Sequence, residues 1–130
     1  MAVNGLGVAA VRGEQYLTKR EQFGLVYDKG SSWVSKMLVI KALPNGLHLS
    51  RYGFTVSRRV GKAVVRNRVK RLLREILRQT PIQPGWDIIF IARSSAARAN
   101  YVSIGNSVRG LLLRAGLLVG EYEGVCPGTN

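Results

Sequence analysis

The stretch Val56-Ser-Arg-Arg-Val-Gly-Lys-Ala-Val-Val-Arg-Asn-Arg-Val-Lys-Arg-Leu-Leu-Arg-Glu75 decides how the rest of the chain reads. Leading into it, Tyr52, Phe54 and Val56 alternate with Arg51, Gly53, Thr55 and Ser57, the period of a half-buried strand. Gly61 breaks that pattern, and from Ala63 to Gln79 the period is helical, ending ahead of Thr80-Pro81. At about 100° per residue, Val69, Leu72, Leu73, Ile76 and Leu77 share an arc of roughly 140°, which predicts a face packed on a sheet. Arg66, Asn67, Arg68, Lys70, Arg71, Arg74 and Arg78 fill most of the remaining circle, with Glu75 the one acid among them.

A solvated helix face ordinarily mixes Glu with Lys, whereas residues 51–78 hold ten of the twenty Lys and Arg residues against a single acid. So pure a cationic face repels itself unless a polyanion replaces its counterions, and nucleic acid is the natural partner. Eight of those ten residues are arginine, whose planar fork grips a phosphate bidentately or stacks on a base, which favours structured RNA. An anionic membrane surface would need an apolar anchor or a free amphipathic face, and the apolar face of this helix is needed for the core.

Outside this segment, the whole chain of 130 residues, with a formal charge of +13 and 46% hydrophobic content, is long enough for one core and too short for two ordinary domains. We expect one domain over residues 14–118, with flexible tails at 1–13 and 119–130. Thr18 is placed to cap a helix over Lys19–Tyr27, with Glu21 completing a capping box and Gly30 supplying a left-handed stop after Lys29. Lys36–Leu43 is rich in strand formers, and Pro44-Asn45-Gly46 is a turn that would join it to Leu47–Ser57 in a hairpin or meander. Pro84-Gly85 leads into a buried strand at Asp87–Ala92, and Tyr101–Leu118 has helical spacing with Gly116 near its end. The resulting order is α-β-β-β-α-β-α.

Little in the chain suggests chemistry of its own. The acids Glu14, Glu21, Asp28, Glu75, Asp87, Glu121 and Glu123 form no convincing ligand pair, and His48 stands alone in a strand hairpin. No zinc spacing, phosphate-cradling glycine loop or nucleophile motif is present, so we expect no catalytic and no metal-binding residue. Cys126 is the single cysteine and sits in the expected tail. The apolar opening MAVNGLGVAAV has no basic start, and no apolar run approaches the roughly 20 residues of a membrane span, which leaves the cytoplasm as the default compartment.

The segment Val56–Glu75 closely resembles the signature of the bacterial ribonuclease P protein component, in which a strand ends in a basic turn and enters a helix with an Arg-Asn-Arg core. Leu17-Thr-Lys-Arg-Glu-Gln-Phe23 with Tyr27 and Gly30, and Gly85-Trp-Asp-Ile-Ile-Phe-Ile-Ala-Arg93, extend the resemblance to roughly residues 15–118. It implies a single-domain α/β (α+β) two-layer sandwich in the order given above, with a left-handed β-α-β crossover where parallel crossovers are ordinarily right-handed. It also implies a protein subunit that binds a catalytic RNA and the 5′ leader of precursor tRNA and promotes endonucleolytic removal of that leader. The chemistry and its magnesium would then belong to the RNA, with no cofactor on the protein, no membrane and no obligatory protein partner.

By the same resemblance, Arg58, Arg59, Lys62, Arg66, Asn67, Arg68, Lys70, Arg71 and Arg74 face RNA, and Phe23, Tyr27 and Arg93 meet the leader. For Asn67 a helix cap is an equal alternative. Phe23 and Tyr27, four apart on one helical face, suit either core packing or stacking on unpaired bases. Which of Lys36, Val39, Lys41, Tyr52 and Phe54 line the leader cleft is open until the inward face is known. A ribosomal-type structural RNA-binding protein is the alternative reading; it accounts for the charge and leaves the Val56–Glu75 pattern unexplained.

Overall fold

The computed structural model describes residues 16–17 and 19–119. Thr18, Cys126, Glu14, Glu121, Glu123 and the expected tails apart from Val119 lie outside the described residues. The elements are α1 (Arg20–Lys29), β1 (Ser31–Val34), β2 (Leu38–Pro44), β3 (Arg51–Val56), α2 (Ala63–Arg78), β4 (Trp86–Ala92) and α3 (Tyr101–Ala115), with a 3-10 turn over Ser94–Arg98. This is the expected α-β-β-β-α-β-α order.

The sheet order is β1-β2-β4-β3, with β3 and β4 parallel and the other neighbours antiparallel. The expected pairing of Lys36–Leu43 with Leu47–Ser57 is therefore corrected: β4 lies between them. The reason is burial. Ile88, Ile89 and Phe90 are wholly buried, and a strand apolar on both faces takes the centre of the sheet. The hairpin that does form is β1–β2, closed over Ser35-Lys36-Met37, where Ser35 Oγ accepts from Leu38 N at 3.2 Å. The Pro44-Asn45-Gly46 turn is real, but its Asn45 turns to β4, donating to Asp87 Oδ1 at 2.9 Å.

Alternation along the strands separates two faces. Leu38, Ile40, Ala42, Val56, Ile88, Phe90 and Ala92 join Val69, Leu73, Ile76, Ile104, Val108, Leu111 and Leu112 in the main core, so α2 and α3 form one layer over the sheet. Ile89 belongs to a smaller cluster on the reverse face with Leu17 and Val26, against which Phe23, Leu43 and Ile91 pack, and this is where α1 lies. α2 is the crossover that joins the parallel neighbours β3 and β4.

Both ends of α1 differ from expectation. The helix begins at Arg20 with Lys19 as its cap residue, and Gln22 Oε1, rather than Glu21, accepts from Lys19 N at 3.0 Å. At its other end Gly30 is extended, φ −77°, so no left-handed stop exists. Glycine is needed there for space: a Cβ would sit 2.6 Å from Val26 O and 3.0 Å from Ala42 O. The left-handed stop occurs instead at Gly116, φ 75°, which ends α3 ahead of the expected Leu118. Leu118 then pairs with Ile82 as an isolated bridge.

Candidate nucleic-acid interface

α2 commits its apolar side to the core, with Val69 and Leu73 wholly buried, Ile76 and Leu77 nearly so, and Leu72 packed at the margin. Its outward side shows Asn67, Arg71, Arg74 and Arg78, all exposed, with Lys62 at the start and Arg66 and Lys70 half-buried on the flanks. The helix's one acid is already matched: Glu75 pairs with Arg78 and accepts from Gln79 Nε2 at 3.2 Å. The Arg78 guanidinium holds the Glu75 carboxyl below the usual carboxylate range. Asn67 is an exposed position inside the helix, five residues past the cap residue Lys62, so a capping role is removed. Arg66 turns back to its own start, Nε donating to Gly61 O at 3.1 Å.

Arg58 and Arg59 are exposed on the turn from β3 to α2, which is anchored by the buried Val60. Because β3 and β4 run parallel with Val56 beside Ala92, Arg93 emerges at the same end of the sheet. Its Nη1 donates to Ser35 O at 3.0 Å, which ties it to the β1–β2 turn carrying the exposed Lys36. Arg58, Arg59, Lys62 and Arg93 are thus gathered at one end, beside the first turn of α2. Arg68 is turned elsewhere. Half-buried, it donates from Nη2 to Ala99 O at 2.5 Å and from Nη1 to Ala97 O at 3.4 Å.

Phe23 and Tyr27 reach from α1 to β3. A Cβ on Gly53 would stand 2.6 Å from Phe23 Cε1, so the ring lies directly against that glycine. The Tyr27 hydroxyl is 2.7 Å from Thr55 Oγ1 and its ring is 40% exposed. Phe23 therefore packs and also borders open space, whereas Tyr27 is mainly at the surface. Of the strand residues left open, Val39 and Lys41 share the α1 face with Thr55 and Ile91, and Tyr52 and Phe54 point to the α2 side. Thr55 and Ile91 are face residues that the sequence reading misses; their alternation is visible, but with helices on both faces it does not say which face is the cleft.

A groove of about 270 Å³ opens along the outer edge of β3, lined by Tyr16, Leu17, Phe23, Tyr52, Gly53, Phe54, Lys70 and Arg74. Leu17 N donates to Tyr52 O at 2.8 Å, which brings the segment before α1 against this edge strand. Tyr16 and Phe54 have ring centroids 6.2 Å apart, and Phe54 and Phe90 6.1 Å, so a row of rings runs from the groove into the core. Burial, with Tyr16 nearby, pushes the Tyr52 hydroxyl up to about 12 and keeps it protonated. Rings beside two cations suit an unpaired nucleotide, its base on the aromatics and its phosphate on Lys70 or Arg74. Sequence alone does not assemble Tyr16, Tyr52 and Phe54 into one groove, because the pairing of 16–17 with β3 is non-local.

The family model for Ribonuclease P matches residues 11–116. This chain belongs to the ribonuclease P protein family. The "Ribonuclease P protein component" of Dehalococcoides mccartyi (strain CBDB1) is 48% identical over 102 residues, covering 78% of this chain and 85% of the relative. That of Alkaliphilus oremlandii is 44% identical over 104 residues, covering 78% and 91%. Among solved structures, a Staphylococcus aureus RNase P protein mutant superposes with a TM-score of 0.77 at 31% identity, covering 82% of this chain and 92% of that one. The Thermotoga maritima RNase P protein gives 0.71 at 33% identity, covering 76% and 96%. The chain is thus a protein component of a ribonucleoprotein endoribonuclease, and family membership displaces the ribosomal-type alternative.

Among the described residues the buried acid has structural work. Asp87, nearly buried, accepts from Arg51 Nε at 2.8 Å and Nη2 at 2.7 Å as well as from Asn45, and the hydrogen bond to Asp87 raises the Arg51 pKa. Both carboxylate oxygens are thereby engaged in fastening the starts of β3 and β4 together. Among the described residues no group of three His, Cys, Asp or Glu side chains could hold a metal ion, and no helix is long and apolar enough to cross a membrane.

Proposed function

We propose that this chain holds the ribonuclease P RNA with the outward face of α2 and the adjoining turn, and receives the 5′ leader of precursor tRNA between α1 and the sheet. The carrying observation is the division of α2 itself: its apolar side is consumed by the core, and its outward stretch from Asn67 to Arg74, with the cations Lys70, Arg71 and Arg74, has no acid in it. A phosphate backbone neutralises such a face and releases its counterions, giving a strong dependence on salt. Phe23, Tyr27 and Arg93 take the leader, with the β3-edge groove as the seat for an unpaired nucleotide. Phosphodiester hydrolysis and its magnesium belong to the RNA; the protein's share is to lessen electrostatic repulsion and to position the leader, promoting formation of the mature tRNA 5′ end. On this reading the protein itself carries no cofactor.

The test is 5′-leader cleavage of a precursor tRNA at low magnesium by cognate ribonuclease P RNA, with the protein, without it, and with protein alone. Stimulation of the RNA with no cleavage by protein alone is the expected result. A folded protein that leaves the RNA unstimulated sinks the reading.

A further inference from the structure

We propose that Arg68 is a positioning residue: its guanidinium clamps the 3-10 turn over Ser94–Arg98 to α2, and the clamped turn presents Arg98 as a further phosphate contact. This rests on the reading of α2 as the RNA-facing helix.

The two acceptors of the Arg68 fork, Ala97 O and Ala99 O, flank Arg98 directly. Ala96 is wholly buried and Ala99 nearly so, which seats the turn on the core and leaves the exposed Arg98 between them. The Arg98 side chain makes no hydrogen bond or ion pair among the described residues. Around α2, Arg68 stands roughly 160° from Lys70, so the helix has two unlike flanks. One flank offers Lys70 and Arg74 to the β3-edge groove. On the other, Leu72 is at the core margin and Glu75 is paired with Arg78, so α2 itself sets no free cation outward there.

Two carbonyl oxygens on this flank would repel a phosphate, and the Arg68 guanidinium covers both while fixing the segment that carries Arg98. A lysine keeps the charge of Arg68 but presents a single ammonium in place of a planar fork, so it loses the two-carbonyl clamp. That difference separates a positioning role from a direct contact.

The experiment measures binding of cognate ribonuclease P RNA across a salt series by the full-length wild type, Arg68→Lys, Arg98→Ala and the double variant, with amide exchange read at residues 96–99. Arg98→Ala should weaken binding by about 3- to 10-fold and lower the salt slope by about 0.7–0.9, the loss of one phosphate. Arg68→Lys should weaken binding as much, speed exchange in the turn, and add nothing in the double variant. Wild-type affinity for Arg68→Lys, or effects that multiply in the double variant, would overturn the proposal. Should Arg68→Lys fail to fold, the surface variant Arg98→Ala decides: undiminished binding refutes the added contact. Failure of the wild type to bind would instead refute the RNA-facing reading of α2, and this inference with it.

Discussion

α2 sinks Val69, Leu73, Ile76 and Leu77 into the main core and displays an almost purely cationic outer face, whereas α1, on the reverse of the same sheet, buries Val26 alone. The surface of α1 mixes signs, with Lys19, Arg20 and Lys29 beside Glu21 and Asp28. α2 is held by apolar packing over most of its length. α1 is held by close approaches, Gly30 on the backbone of β2 and Phe23 on Gly53. A surface of like charges needs a support that does not yield to its own repulsion, and a cleft wall needs shape more than adhesive area.

This contrast can be broken first at the core. Leu73→Ala should cost about 2–5 kcal/mol in denaturant unfolding and Val26→Ala about 1–2 kcal/mol; equal losses would show α1 to be as firmly packed as α2. Next, Gly30→Ala should cost about 1–3 kcal/mol, since its Cβ meets backbone oxygens that cannot step aside. Gly53→Ala should cost less, because the Phe23 ring can rotate away, and should weaken leader binding as it does so.

The two surfaces should also separate in their ligands. Phe23→Ala should weaken leader binding by about 1–3 kcal/mol in anisotropy titrations, the scale of one base–aromatic stack, with affinity for the catalytic RNA unchanged. Arg71→Ala should do the reverse, lowering the salt slope for the catalytic RNA by about 0.7–0.9. Identical profiles for the two variants would merge the leader cleft and the α2 face into a single binding surface.

The smallest effect concerns Tyr52, at the seam between the faces. Its folded pKa of about 12 lies above its ordinary value near 10, so its contribution to stability is complete below about pH 10 and is lost as pH rises toward 12. Phenolate absorbance should show a late step from Tyr52, and Tyr52→Phe should remove that step and soften the alkaline fall in melting temperature.

The order of elements and the sidedness of α2 are legible in the sequence, because both depend on periodicities local to the chain. The place of β4 is not. Pro44-Asn45-Gly46 carries every local mark of a hairpin turn, and only the burial of Ile88, Ile89 and Phe90 on both sides explains why β4 lies between β2 and β3. Gly30 stands out in the sequence for the wrong reason, since sequence distinguishes poorly between a glycine that needs a positive φ and one that needs room. Arg68 reads as one more cation on a wheel; its turn toward Ala97 and Ala99 depends on where a segment some 30 residues away comes to rest. The gathering of Arg58, Arg59, Lys62 and Arg93 at one end follows from the parallel pairing of β3 and β4, which no local pattern announces.

Among the described residues β4 is the strand that pairs with β3 over its length, and Tyr16 adds a single bridge at Tyr52, so the β3 ladder waits until the chain has passed through α2 and returned. Antiparallel β1–β2 can close early over three residues, but the sheet has no centre before Trp86–Ala92 is made. A nascent chain stopped at Arg78 therefore carries the cations of α2 and the strand β3 beneath it, without the central strand β4 and without α3, against which α2 also packs. The proposed RNA-facing surface should therefore gain its full support only once β4 is made, and a chain synthesised at least to β4 is the one expected to present it in the right geometry.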